Sequence, residues 1–336
     1  MGRGALSRPG ARRPHREGPV TLQPTRAALA APSRPSRLVA DVTLLLITMT
    51  WGFTFVAVKD AVAQIPVFSF LALRFGLAAL TLGGTLAVTG REGLDGLRPA
   101  LLPGLGTGLL LFAGYALQTL GLQYTTPGKA GFITGLSVAL VPVLDRLLYG
   151  RRQPGAALMG VALAVMGMAV MFVEPAEISV RRGDWLVLGC ALAFGAHVTV
   201  VAHAGRLPML PYTLWQVVAV ALVSGLAATL DGWGLEGMDL GVAGTLLLTG
   251  PVVSGLLLVL QVWAQRHTPA THAALIFATE PIFAALSGAL LAGERLGPRV
   301  LAGGLAILVG TVWAEVAQTG PWAARRVAPR SGEGCP

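Results

Sequence analysis

The chain has 336 residues, 54% hydrophobic and 12% charged, about half the charged share of an ordinary soluble domain. That deficit excludes a water-soluble fold, which has to cover an apolar interior with polar surface. The net charge of +9 does not indicate nucleic acid: the Lys and Arg residues sit in tails and short loops, the pattern of topology-setting charge in a membrane protein.

In chain order, residues 1–38 are rich in Arg, Pro and Ala, with Glu17 as the only acid. Such a segment buries too little apolar surface to offset its ordering entropy and is expected to be a disordered basic tail. From residue 39 the sequence becomes a train of apolar segments, each near the roughly 20 residues that cross a bilayer core. They read as 39–58, 66–88, 99–121, 128–147, 154–173, 184–203, 210–230, 241–263, 269–291 and 298–317, with a second disordered tail at 318–336. In lipid every backbone amide needs an internal partner, so the segments must be helices. The expected fold is an all-α integral membrane protein of about ten transmembrane helices. Pro103, Gly104, Gly106 and Gly108 crowd the start of the third and make it the least regular.

With a cytoplasmic N-terminus, ten crossings return the C-terminus to the same side. Excluding the N-terminal tail, that orientation places ten Arg inside (Arg91, Arg98, Arg146, Arg151, Arg152, Arg206, Arg266, Arg325, Arg326 and Arg330). Six basic residues lie outside: Lys59, Lys129, Arg181, Arg182, Arg295 and Arg299. The bias favours both termini in the cytoplasm and a multi-pass protein of the inner (cytoplasmic) membrane.

An internal register runs through the chain. Leu260-Gln261 lies 143 residues after Leu117-Gln118, and the same ungapped offset pairs Asp41 with Asp184, Gly52 with Gly195, Thr125 with Thr268 and Ile133 with Ile276. Gly160 with Gly303 and Gly167 with Gly310 extend it. Matches of Gln, Thr and Asp across distant parts of the unit indicate duplication, with units at 39–175 and 182–317. Five helices is an odd number, so the second copy enters the membrane from the opposite side, giving two inverted five-helix repeats, an arrangement typical of secondary transporters.

Several motifs resemble a known family. Thr50-Trp51-Gly52-Phe53-Thr54-Phe55, Leu71-Ala72-Leu73-Arg74-Phe75, Ala130-Gly131-Phe132-Ile133-Thr134-Gly135-Leu136 with Val141-Pro142-Val143, and Ala274-Leu275-Ile276-Phe277-Ala278-Thr279-Glu280-Pro281 followed by Gly293-Glu294-Arg295 together resemble the EamA-type members of the drug/metabolite transporter superfamily, over about residues 40–317. The resemblance implies that fold and transport activity, with export favoured, but gives no substrate, because the family exports amino acids, other metabolites and drugs alike; the expected cargo is a small metabolite, an amino acid or related solute. The resemblance implies a single chain, with pairing into a homodimer left open. After the fourth helix the chain has Gly150-Arg151-Arg152 where the family has Gly-Glu-Arg.

Among the acids, Glu280 alone sits near the middle of a span; Arg74 is the deepest base, about eight residues into the second helix. Charges so placed are costly and face a bundle interior or water-filled cavity with partners. Three readings stand: Arg74 holds a substrate carboxylate while Glu280 takes an ammonium group or a coupling proton; the two pair with each other; or Glu280 is protonated and hydrogen-bonds within a helix contact. At the 143 offset Glu280 meets Ser137, and Arg74 meets Val217, beside Gln216. Trp51, Gln118, His197, Gln216 and Gln261 are further cavity candidates, each with helix-to-helix hydrogen bonding as the plainer alternative. Lys129 and His272 align at opposite mouths as gate candidates or snorkelling residues. Pro103, Pro142, Pro251 and Pro281 mark helix breaks in corresponding helices of both halves, and Gly131 and Gly135 form a small-residue packing face.

Competing classes are a non-transporting membrane receptor or assembly protein and, less favoured, an intramembrane enzyme. The chain has no Gly-x-Ser-x-Gly, no His-Glu-x-x-His and no cysteine-based site, and nothing supports a Ser–His pair at Ser137 or Ser254. The expectation is therefore no enzymatic activity, no metal and no cofactor, with a small-molecule substrate and the lipid bilayer as partners.

Overall fold

The computed structural model describes residues 1–2, 34–89, 94–125, 127–172, 182–205, 207–291 and 296–319. Residues 3–33 and 320–336 of the expected tails, Gly293-Glu294-Arg295 and the link between the halves at 173–181 lie outside the described residues, as does the side chain of Lys129; residues 34–38 and 318–319, expected in the tails, belong to helices.

Apolar composition and the demand for internal backbone bonding produce ten helical segments among the described residues. In the first half these are α1 (Arg34–Gln64), α2 (Val67–Thr89), α3 (Leu97–Leu122), α4 in two pieces (α4a, Pro127–Gly135; α4b, Ser137–Tyr149) and α5 (Gly155–Phe172). The second half repeats the order: α6 (Arg182–Ala202), α7 (Met209–Asp231), α8 in three pieces (α8a, Leu240–Leu247; a π segment, Leu248–Leu256; α8b, Leu257–Gln265), α9 in two (α9a, Ala270–Phe277; α9b, Glu280–Leu291) and α10 (Pro298–Thr319). Eight of the ten positions carry helices long and apolar enough to cross a bilayer; α5 and α10 contain shorter apolar stretches, Gly155–Met171 and Pro298–Ala314. The face where α1 begins is called here the near face; the opposite one is the far face.

The packing has inverted two-fold pseudosymmetry. α2 packs on α7 and α5 on α10, while α3 against α6 is mirrored by α8 against α1, and α4b against α6 by α9b against α1. The glycines show this at atomic scale. A Cβ on Gly52 would lie 3.0 Å from the Glu280 carbonyl oxygen, and one on Gly195 would lie 3.6 Å from that of Ser137, the repeat mate of Glu280. On α5, Gly160 faces Gly310 and Gly167 faces Gly303 across the crossing with α10, so each glycine packs on the copy of the other. A Cβ at Gly160 would lie 2.5 Å from the Gly310 carbonyl oxygen. Only glycine permits that approach, and close backbone contact is how helices associate where lipid removes the hydrophobic drive.

Two hydrogen bonds join the halves in the same mirrored way. Thr125 Oγ1, between α3 and α4, donates to Asp184 Oδ1 at the start of α6 (2.8 Å). Its copy Thr268, between α8 and α9, donates to Asp41 Oδ1 near the start of α1 (2.5 Å). Inversion puts the first on the far face and the second on the near face, where His272 Nε2 also lies 3.5 Å from Asp41 Oδ2.

The register departs from a single offset. Phe70, Leu71, Arg74, Phe75, Ala78, Leu82 and Leu86 are buried in α2, and Tyr212, Thr213, Gln216, Val217, Val220, Ser224 and Ala228 are buried in α7, a spacing of 142 throughout. The structural mate of Arg74 is therefore Gln216, correcting the ungapped alignment to Val217. One residue fewer in the second half has no effect on the flanking helices, because it falls in the link between α6 and α7, the copy of the α1–α2 link.

The proline expectations divide. α3 runs unbroken through Pro103; the proline lies near the helix start, so only one bond of the ladder is lost. Pro142 lies inside α4b, and the interruption of α4 falls earlier, at Leu136. Pro281 follows the interruption of α9 directly, at Ala278 and Thr279. Leu136 and Thr279 are repeat mates, so the two breaks do correspond. Pro251 lies within the π segment. Of the two small residues on α4a, Gly135 meets Met168, whereas Gly131 faces open space.

Candidate functional site

The breaks in α4 and α9 bring a polar residue to the bundle centre in each half. Ser137 starts α4b and Glu280 starts α9b. Both residues line one cavity of about 910 Å³ of empty space, its mouth included.

The lining is nearly closed under the repeat. Trp51 and Phe194, Thr54 and His197, Phe55 and Val198, Tyr115 and Leu258, Gln118 and Gln261, Thr134 and Phe277, and Ser137 and Glu280 all contribute, each pair 143 residues apart. The cavity therefore sits on the pseudo-two-fold axis. Its charges break the symmetry: Arg74 comes from the first half and Glu280 from the second, and their mates are the uncharged Gln216 and Ser137.

Arg74 is 4% exposed. Its Nε donates to Ser254 Oγ at 2.8 Å, and its guanidinium lies over the ring of Tyr115, 4.9 Å from the centroid, with Phe75 at 5.5 Å. Cation–π contact and a hydroxyl acceptor partly replace the water lost on burial. Among the described residues no ion pair joins Arg74 to Glu280. Of the three readings of these charges, direct pairing is not what the structure has.

The other candidates fall into place individually. Trp51 is tilted against Phe277 with centroids 5.4 Å apart, and its Nε1 is buried without a hydrogen-bond partner. Gln118 donates to Thr134 Oγ1 at 3.3 Å. Gln261 donates to Gln265 Oε1 at 2.9 Å, while its own Oε1 has no partner. His197 Nε2 is 2.8 Å from Gln216 Oε1, so Gln216 supports the cavity wall from behind and does not line it. His272 is remote from the cavity, on the near face with Asp41. Lys129 starts on the far side in α4a, at the repeat position of His272.

Sequence reasoning missed Tyr115, Phe277 and the role of Ser254. Tyr115 sits one turn before Gln118 on the same helix face, a spacing that points to it once Gln118 is suspected. Ser254 had no such signal: it reaches Arg74 only through the π segment. Its partner is an arginine, so it is not poised as a nucleophile.

The cavity is asymmetric along the membrane normal. The whole of α9a, from Ala270 to Phe277, is buried near the near face, while Gly131, Phe132 and Gly135 of α4a are only partly buried. The lining residues Val58, Thr119 and Leu122, in the halves of α1 and α3 nearer the far face, have repeat mates Val201, Val262 and Gln265 that are not part of the lining. The cavity therefore extends further toward the far face than toward the near one.

This is a polytopic membrane protein with a polar cavity on the axis between inverted repeats, the architecture of a carrier. The sequence profile of the EamA-like transporter family matches it twice, at residues 38–173 and 181–315, and the chain belongs to that family. It is 33% identical over 279 residues to an uncharacterized transporter of Archaeoglobus fulgidus, covering 82% of this chain and 85% of that one. It is 23% identical to the uncharacterized transporter YoaV of Bacillus subtilis (80% and 93% covered). It is also 24% identical over 185 residues to a probable amino-acid metabolite efflux pump of Escherichia coli, 52% of this chain and 58% of the pump. A protein crystal structure superimposes with a TM-score of 0.70 at 18% identity, over 88% of this chain and 99% of the other, and shares the fold.

Proposed function

We propose that the chain is a secondary transporter that exports a small zwitterionic metabolite, an amino acid or a close relative, by alternating access, with the near face in the cytoplasm. The observation that carries the reading is the charge arrangement: Arg74 and Glu280 border one cavity without pairing, and beside them Trp51 Nε1 and Gln261 Oε1 lack partners. A buried donor or acceptor without a partner costs about 1–3 kcal/mol, and a solute with an anionic and an N–H-bearing cationic end relieves all four. Arg74 would hold the carboxylate, while Glu280 and Gln261 would take the ammonium group, or Glu280 a proton in exchange. The name of the Escherichia coli relative agrees with this class, and the excess of Arg on the near face with the orientation.

In this reading the two inter-half bonds, Asp184 with Thr125 and Asp41 with Thr268 and His272, are the gates, and Lys129 would join the far one. The extension of the cavity toward the far face corresponds to a carrier facing outward. The aromatic walls suit reversible binding and release, and membership of a transporter family supports a carrier over an enzyme.

Counterflow of a radiolabelled L-amino-acid pool into proteoliposomes tests this. The parent should show saturable flux, Arg74→Gln should lose it, and Glu280→Gln should lose both rate and pH dependence. Unchanged flux in both variants would remove the cavity from the transport path, and unitary currents would make the protein a channel.

A further inference from the structure

The π segment of α8 has no counterpart in α3, and the burial pattern locates the difference. Val242, Leu246, Thr249, Gly250 and Val253 are buried in α8 as Ala100, Gly104, Thr107, Gly108 and Leu111 are in α3, all 142 residues apart. Beyond it, Leu258, Val262 and Gln265 match Tyr115, Thr119 and Leu122 at 143. One residue has been inserted between Val253 and Leu258. An i→i+5 turn accommodates one extra residue without breaking the helix, and such turns recur at functional sites.

Ser254 is the first residue of the inserted turn. It is fully buried, and its Oγ accepts from Arg74 Nε. The same turn of α3 holds Phe112 and Ala113, which offer no hydroxyl, and there the mate of Arg74, Gln216, turns to His197 instead. The insertion and the arginine thus occur together, in one half and not the other. Arginine offers two parallel N–H pairs to a carboxylate only if its plane is fixed, and a bond at Nε with a ring beneath the guanidinium fixes that plane.

We infer that the one-residue insertion in α8 is a built device that aims Arg74, and that Ser254 is a positioning residue setting affinity for the anionic end of the substrate. This rests on the reading of Arg74 given above. Two measurements test it on the full-length protein. In counterflow with the L-amino-acid pool, Ser254→Ala should raise KM about tenfold, the cost of one hydrogen bond to a charged group, with maximal rate unchanged, and Ser254→Thr should restore the parental KM. In ¹H–¹⁵N spectra the Arg74 Nε–H should exchange slowly in the parent and in Ser254→Thr, and rapidly in Ser254→Ala. An unchanged Nε–H signal in Ser254→Ala, or a loss of rate without change in KM, overturns the inference. If the parent carries no amino acid, the transport reading fails and the Nε–H signal alone judges the positioning role.

Discussion

Arg74 and Glu280 survive burial by different means. The arginine is spread over an aromatic ring and tied to a hydroxyl, whereas the glutamate lies in the first turn of α9b, beside Pro281, which has no N–H to offer. In a cage otherwise nearly symmetric, the one deep base and the one deep acid thus come from different halves. Elsewhere Asp145, also buried, accepts from Gln153 through one oxygen at 2.6 Å, and its other oxygen lies 3.4 Å from His203, whose ring stacks on Tyr149 with centroids 3.7 Å apart. The glycines of the α5–α10 crossing are equally specific. A Cβ on Gly167 would lie 2.5 Å from the Gly303 carbonyl oxygen, and backbone cannot yield as a flexible side chain can. Gly167→Leu should destabilise the protein by about 1–3 kcal/mol or more, seen as earlier thermal unfolding in detergent, whereas Gly131→Leu, facing open space, should leave unfolding nearly unchanged. Equal effects would show that the crossing is not the tight contact described.

Among the elements, the broken helices are where the site is made. Each break places a helix start at mid-membrane, and the breaks at Leu136 and Thr279 are copies of one ancestral feature. The inter-half bonds act one level out, at the loops that feed those helices. If they are gates, removing each should favour opening on its own face only. In a protein whose one cysteine is Ser137→Cys, with Cys190 and Cys335 replaced by Ala, Asp41→Asn should raise labelling by an impermeant maleimide several-fold from the near face. Asp184→Asn should do so from the far face. If both variants shift labelling in the same direction, or neither does, the bonds are structural only.

For the molecule as a whole, inversion is the organising property: one five-helix unit used twice gives each surface an equivalent on the opposite side of the membrane. Under the proposed alternating access no new structure is needed, because each half would adopt the arrangement the other has now. The inverted arrangement predicts sidedness at single residues. Arg151→Cys, between α4 and α5, should be labelled only from the face where the N-terminus lies, and Glu236→Cys, between α7 and α8, only from the other. Labelling of both from one side would contradict the fold, and labelling of Arg151→Cys only from outside intact cells would reverse the proposed orientation.

Composition and periodicity alone determined the membrane class, the approximate positions of the spans and the inverted duplication. The reason is that lipid permits few backbone solutions and an odd repeat admits one outcome. Depth in a span was enough to single out Arg74 and Glu280, because a charge there is expensive wherever it points. Tertiary structure decided what depth cannot reveal: that the two charges do not pair, that Gln216 and not Val217 is the mate of Arg74, that α3 runs straight through Pro103, and that a single inserted residue turns Ser254 toward the guanidinium. Those outcomes depend on the rotation of one helix against another. A one-residue change turns a helix by about 100°, and its letters, read along the chain, look the same before and after.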